Sequence, residues 1–139
     1  MAATTVTWTG DKTTFDVLGV KSGHHAAADS AEPLGAGAGL KPTEMLLGAL
    51  GACAGVNAVL LLKKMRQPLE SLEIRVHGDQ EEDWPQKFTA IQIEFVLGWS
   101  GETDDALVEK ALDLACHRYC PVHATLEGGV PISHSRRDA

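Results

Sequence analysis

The chain has 139 residues, of which 44% are hydrophobic and 22% charged, and these values fit one globular domain spanning 1–139. Nineteen acidic against 12 basic residues give a net charge of −7. No basic stripe is present, which argues against nucleic acid or an anionic membrane surface as a partner. Three cysteines are too few, and odd in number, for a disulfide scaffold. The first residues lack a secretory signal pattern, so we expect a reduced, cytoplasmic protein.

The N-terminal part of the chain predicts a small antiparallel sheet. Residues 4–9 are β-branched and aromatic and predict a strand, and we expect second and third strands over 13–17 and near 24–28. The turn residues between these stretches are typical of a three-stranded meander. Residues 29–41 contain a proline and three glycines, so they predict a loop.

A long apolar helix is predicted over residues 42–66. Pro42 suits the first helical turn, Glu44 suits the positive end of the helix dipole, and basic residues gather near Arg66 at the other end. At 1.5 Å per residue this helix would be roughly 37 Å long. It is apolar enough to raise the question of a membrane span. The glycines and Asn57 within it favour the interior helix of a protein core instead.

Three glycines in this helix, Gly48, Gly51 and Gly55, predict close packing against another helix. Further along, alternating apolar residues over 69–78 and 88–97 predict an antiparallel hairpin.

A second helix should follow the hairpin, N-capped by Thr103 and ended before Pro121. We expect a short strand over 130–133 and a mobile polar tail over 135–139. The order of the elements predicts an α+β fold.

The three cysteines have different surroundings in the sequence. Cys53 lies in the middle of the apolar helix, where it is either a small buried hydrophobe or a nucleophilic thiol. Cys120 immediately precedes Pro121 and should therefore lie on an accessible bend. Cys116 lies one helical turn earlier and should be packed.

Residues 116–123 are dense in possible metal ligands. The Cys-x3-Cys pair with His117 and His123 could hold a metal ion, although this is not the usual spacing of a zinc knuckle. The other interpretation is an ordinary solvated helix end. We expect no metal to be required.

Two segments of the chain resemble motifs of the OsmC/Ohr family of peroxide-reducing proteins. The first is KPTEMLLGALGAC, which ends at Cys53, and the second is YCPVHATL, which contains Cys120. The resemblance implies antiparallel sheets around two central helices in an intertwined homodimer. It also implies cysteine chemistry without a metal or organic cofactor.

By motif, Cys53 would be the peroxidatic cysteine and Cys120 the resolving one. Characterised members of the family carry an arginine near the N-terminal strands, whereas this chain has none before Arg66. Lys12 or Arg118 could stabilise the thiolate instead. The substrate pocket around Cys53 should be formed by Leu46, Leu50 and Asn57.

The leading hypothesis is a thiol-dependent peroxidase that reduces organic hydroperoxides or hydrogen peroxide and is recycled by an external dithiol. The alternative is a non-catalytic OsmC-like protein that senses redox state or binds a small molecule. A metal-binding protein is the third possibility.

Overall fold

A computed structural model describes all 139 residues. The chain forms two compact units, Met1–Leu46 and Leu47–Ala139. Helix α1 (Pro42–Lys64) begins in the first unit and continues into the second. The prediction of one domain over the whole chain stays a prediction.

The N-terminal unit contains the predicted three-stranded meander, which is confirmed. Strands β1 (Thr4–Trp8), β2 (Phe15–Gly19) and β3 (His25–Ala28) pair antiparallel in the order β1-β2-β3. The loop over 29–41 that follows is also confirmed, and one bridge between Ala28 and Leu40 closes it.

The buried carboxylate of Asp29 organises this loop. It accepts hydrogen bonds from the hydroxyls of Thr13 at 2.6 Å and Thr14 at 2.9 Å. It also accepts from backbone N–H groups at three points of the loop, Ser30, Ala36 and Ala38. These bonds, the one from Thr13 foremost, hold the pKa of Asp29 well below its usual range. The loop lacks regular backbone pairing, and the charged side chain of Asp29 holds it together instead.

The second unit contains most of α1, a three-stranded sheet and two shorter helices. The sheet consists of β4 (Leu69–Gln80), β5 (Phe88–Trp99) and β6 (Ile132–Asp138), in that order. Strands β4 and β5 form the predicted antiparallel hairpin, and β6 pairs parallel to β5. Helices α2 (Asp105–His117) and α3 (Pro121–Leu126) lie between β5 and β6 in the chain.

One side of α1 enters the core of this unit and the other side does not. Leu50, Ala54, Ala58 and Leu62 recur every four residues and are completely buried. Further along its surface, Val56 and Leu60 are 60% and 61% exposed. By length and composition α1 could also cross a membrane, but helices in the cores of soluble proteins have the same properties.

Two glycines of α1, Gly51 and Gly55, pack against a strand, so the helix partner predicted for these two is wrong. A Cβ at Gly51 would lie 2.8 Å from Val76 Cγ2, and one at Gly55 would lie 2.6 Å from Ile74 Cδ1. Both neighbours belong to β4. A Cβ at Gly48 would have no neighbouring heavy atom within 4 Å.

Two predicted boundaries after the hairpin are wrong. The N-cap of α2 is Asp104, not Thr103, because the Asp104 side chain accepts hydrogen bonds from the second and third N–H groups that follow it. The polar tail is not free either, since β6 continues to Asp138. Arg136 on β6 forms ion pairs with Asp105 at 3.0 Å and Glu109 at 3.4 Å, which attach the strand to α2.

Candidate functional site: a pair of thiols

The structure brings Cys53 of α1 next to Cys120, although the two are far apart in the sequence. Cys53 is half-buried, whereas Cys120 is only 2% exposed. The predicted accessibility of Cys120 is therefore wrong. Pro121 does end α2, but it also starts α3, and Cys120 is the N-cap of that helix. Its Sγ accepts a hydrogen bond from the His123 N–H at 3.3 Å, which draws the sulfur inward.

The thiols of Cys53 and Cys120 lie close enough to interact. Burial, and then the interaction with Cys53, raise the pKa of Cys120 to about 11. Cys120 thus keeps its proton at neutral pH. The arrangement is an outer thiol that solvent can reach and an inner thiol that stays protonated.

Asn57 connects the two segments that carry these sulfurs. Its Nδ2 donates to the backbone carbonyl of Cys53 at 3.0 Å and to that of Tyr119 at 3.2 Å. Tyr119 directly precedes Cys120, so the amide fixes the corner before α3 onto α1. The Nδ2 group is thus committed to the protein, and the predicted place of Asn57 in the substrate pocket stays a prediction.

Cys116 is a structural thiol. It is fully buried in the core. Burial raises its pKa to about 12, with smaller contributions from the nearby Cys120 and Asp113. Such a group does not form a thiolate at neutral pH.

The other predicted site residues have separate surroundings. Leu50 has no exposed surface and packs in the core, so it offers no face to a substrate. Leu46 is 37% exposed and ends the N-terminal unit. Lys12 is exposed in the turn after β1, with φ of 41°, and its carbonyl accepts from the indole of Trp8. Arg118 is exposed, with its guanidinium 6.0 Å from the ring centre of Tyr119. The roles assigned to Leu46, Lys12 and Arg118 stay predictions.

A group of histidines lies at the corner between α2 and α3. The rings of His117 and His123 meet edge to face with centres 4.8 Å apart, and that of His134 lies 5.6 Å from His117. Burial, and then the neighbouring His117, lower the pKa of His123. Glu127 also belongs to the group, with Oε2 3.3 Å from Nδ1 of His123. Glu127 was not predicted from the sequence, although its i,i+4 spacing from His123 could have indicated it.

The chain is similar in sequence to a known protein family and to a curated protein. The family model described as OsmC-like protein matches residues 35–135. Protein YhfA of Escherichia coli strain K12 is 36% identical over 94 residues, which cover 68% of this chain and 69% of YhfA.

The fold of this chain also recurs in solved structures. A hypothetical protein from Aquifex aeolicus VF5 has a TM-score of 0.81 at 25% identity, over 100% of this chain and 98% of that one. The organic hydroperoxide resistance protein OhrB of Bacillus subtilis has a TM-score of 0.61 at 18% identity, over 99% and 98% of the two chains, which shows a common fold alone. The mixed α+β architecture with two small sheets is thus the OsmC/Ohr one, as predicted, although the second sheet is not purely antiparallel because β6 pairs parallel to β5. With the family model matching most of its length, the chain belongs to the OsmC-like protein family.

Proposed function

We propose that this protein is a thiol-dependent peroxidase that reduces organic hydroperoxides or hydrogen peroxide. The observation that carries the proposal is the pairing of the half-buried Cys53 with the buried, protonated Cys120. Membership of the OsmC-like family and the shared fold with an organic hydroperoxide resistance protein support it. The outer thiol is placed to meet a peroxide and the inner one to react with the product.

The proposed cycle has three balanced steps. The thiolate of Cys53 attacks one peroxide oxygen and the O–O bond breaks, so that Cys53 becomes a sulfenic acid; the leaving oxygen takes up the proton that the Cys53 thiol released and departs as alcohol or water. The sulfur of Cys120 then attacks the sulfur of Cys53 while the Cys120 proton passes to the departing hydroxyl group, which forms the disulfide and releases water. An external dithiol reduces this disulfide to two thiols and is itself oxidised to a disulfide.

The geometry favours the second step. The two thiols already lie close enough to interact, and a disulfide requires the sulfurs to approach to about 2.05 Å. When the disulfide forms, the Sγ of Cys120 would no longer accept the hydrogen bond from the His123 N–H. Asn57 keeps the two segments together while this happens, which makes it a positioning residue.

Lys12 and Arg118 are our candidates for stabilising the thiolate of Cys53, and Leu46 for contacting an apolar peroxide. If a cation acts in this way, Lys12→Met or Arg118→Met should slow the reaction of Cys53 with peroxide and leave disulfide formation unchanged.

We further propose that the protein acts as a homodimer in the reducing cytoplasm. The exposed Val56 and Leu60 on α1 support a partner subunit, because apolar side chains four residues apart on a helix form one continuous patch.

The decisive experiment follows consumption of cumene hydroperoxide and of hydrogen peroxide with dithiothreitol as reductant. Cys53→Ser should abolish turnover. Cys120→Ser should react once, leave a trappable sulfenic acid and fail to form the intramolecular disulfide. Cys116→Ala is the matched control, since this thiol is buried and protonated, and it should turn over like the parent. Equal turnover by Cys53→Ser would refute the proposal.

The second candidate is a redox-sensing protein that forms the same disulfide without turnover. The contact between the Arg118 guanidinium and the Tyr119 ring favours this candidate. It engages one of the two cations that we consider for stabilising the Cys53 thiolate. Such a protein would be oxidised stoichiometrically by peroxide, and dithiothreitol would not sustain repeated cycles.

A further inference from the structure

Three side chains at the α2–α3 corner present metal-ligand atoms to one another. His117 is the last residue of α2, His123 lies on α3, and Glu127 is the C-cap of α3. One ligand atom from each lies within 4.8 Å of the other two. We call these three residues the histidine corner.

The central member of the histidine corner has an unsatisfied atom. The side chain of His123 is 2% exposed, and its buried Nδ1 has no hydrogen-bond partner. Glu127 Oε2 lies 3.3 Å from it, but not in the direction that a hydrogen bond requires. A buried polar atom without a partner is costly, so its retention needs a reason.

A metal ion would supply that partner. Zinc bonds of about 2.0–2.2 Å to nitrogen and oxygen, arranged tetrahedrally, separate two ligand atoms by roughly 3.4 Å. The observed 3.3 Å between the Nδ1 of His123 and the carboxylate of Glu127 matches that separation. The most widely separated ligand atoms in the histidine corner are up to 4.8 Å apart, and they must come closer together to bind the same ion. His117 can close this distance by rotating, because its side chain is 47% exposed.

We propose that the histidine corner is a binding site for Zn²⁺ or a similar divalent transition metal. Two imidazoles and one carboxylate are a common protein ligand set for zinc, with the fourth position left to water. The ring of His134 lies 5.6 Å from that of His117, but its ligand atoms are not among those that converge. This set differs from the one considered from sequence, because Cys116 and Cys120 are buried and Cys120 is occupied with Cys53.

The test uses Co²⁺ as a spectroscopic substitute for Zn²⁺ on the reduced full-length protein. We expect one equivalent to bind and to give visible d–d bands without the ultraviolet charge-transfer band of a thiolate ligand. Zn²⁺ should displace the cobalt. His117→Ala and Glu127→Gln change exposed residues and should each weaken binding at least tenfold, with circular dichroism confirming the fold.

The matched control is His77→Ala, which removes an exposed histidine on β4 that also has a carboxylate neighbour, Asp79. It should bind cobalt like the parent. The proposal is wrong if the parent binds no stoichiometric metal or if either corner variant retains its affinity. A thiolate charge-transfer band would also overturn it, because it would place the metal on the cysteines.

Discussion

At the scale of single residues, the difference between Cys53 and Cys120 follows from where their backbones lie. Cys53 is not one of the completely buried residues of α1, and its side chain keeps contact with solvent. Cys120 is held inward by capping α3, and its burial disfavours the charged form. Two identical side chains thereby differ in their exposure to solvent.

This difference predicts the order of alkylation. Iodoacetamide added to the native, reduced protein at neutral pH should modify Cys53 well before Cys116 or Cys120. In denaturant all three should react at similar rates, because burial no longer separates them. Peptide mass spectrometry of timed samples measures the order. Labelling of Cys120 as fast as Cys53 in the native protein would contradict the account.

Asn57→Leu tests the positioning role of the amide. The change removes both hydrogen bonds that join the Cys53 and Tyr119 carbonyls. We expect sulfenic acid formation at a near-normal rate and disulfide formation slowed roughly tenfold, which corresponds to about 1.4 kcal/mol. The free energy of unfolding should fall by about 1–2 kcal/mol. Rapid-mixing kinetics with a sulfenic acid probe separate the two steps.

Gln92→Leu, an exposed amide on β5, is the control for this variant. If Asn57→Leu slowed both steps equally, or neither, Asn57 would not act by positioning.

At the scale of elements, residue type and turn residues predicted the strands of the meander, alternating apolar residues predicted the β4–β5 hairpin, and an apolar run with its end signals predicted α1, each to within a few residues. Alternation identified the hairpin because its strands bury one regular face. Helix α3 was missed because Pro121 can end one helix and start the next. The length of β6 was missed because a polar strand is stabilised by partners distant in sequence, such as the carboxylates that pair with Arg136.

The site was predictable to a similar extent. Motif resemblance singled out Cys53 and Cys120, whose adjacency the structure then provides. The bridge made by Asn57 and the approach of Glu127 to His123 depend on how α1, α2 and α3 are arranged. No local pattern determines that arrangement.

The loop that precedes α1 should depend on the charge of Asp29. Asp29→Asn should lower the Tm at pH 7 by several degrees, because a neutral amide cannot accept the same set of hydrogen bonds. The pKa of Asp29 is lowered by folding, so its contribution is present above its unfolded value of 3.8 and is lost as the pH falls below it. The gap in Tm between the parent and the variant should therefore narrow in acid.

Thermal melts at pH 7 and at acid pH measure this gap, with the exposed Asp83→Asn as control. A gap of constant size across the pH range would mean that the charge of Asp29 does not matter.

At the scale of the whole molecule, α1 leaves apolar side chains in solvent that a second subunit would cover. We expect light scattering at micromolar concentration to give twice the 14.8 kDa chain mass. Leu60→Glu places a charge in the patch and should shift the protein to monomer, since burying an unpaired charge is costly. Lys110→Glu, on the exposed side of α2, should stay dimeric. A folded monomeric parent would disprove the dimer.

The central claim is that Cys53 and Cys120 form one redox pair. Mass spectrometry of the reduced protein after one equivalent of peroxide tests it most directly. The account predicts a Cys53–Cys120 disulfide with Cys116 still a free thiol. A Cys116–Cys120 disulfide with Cys53 still reduced would contradict it.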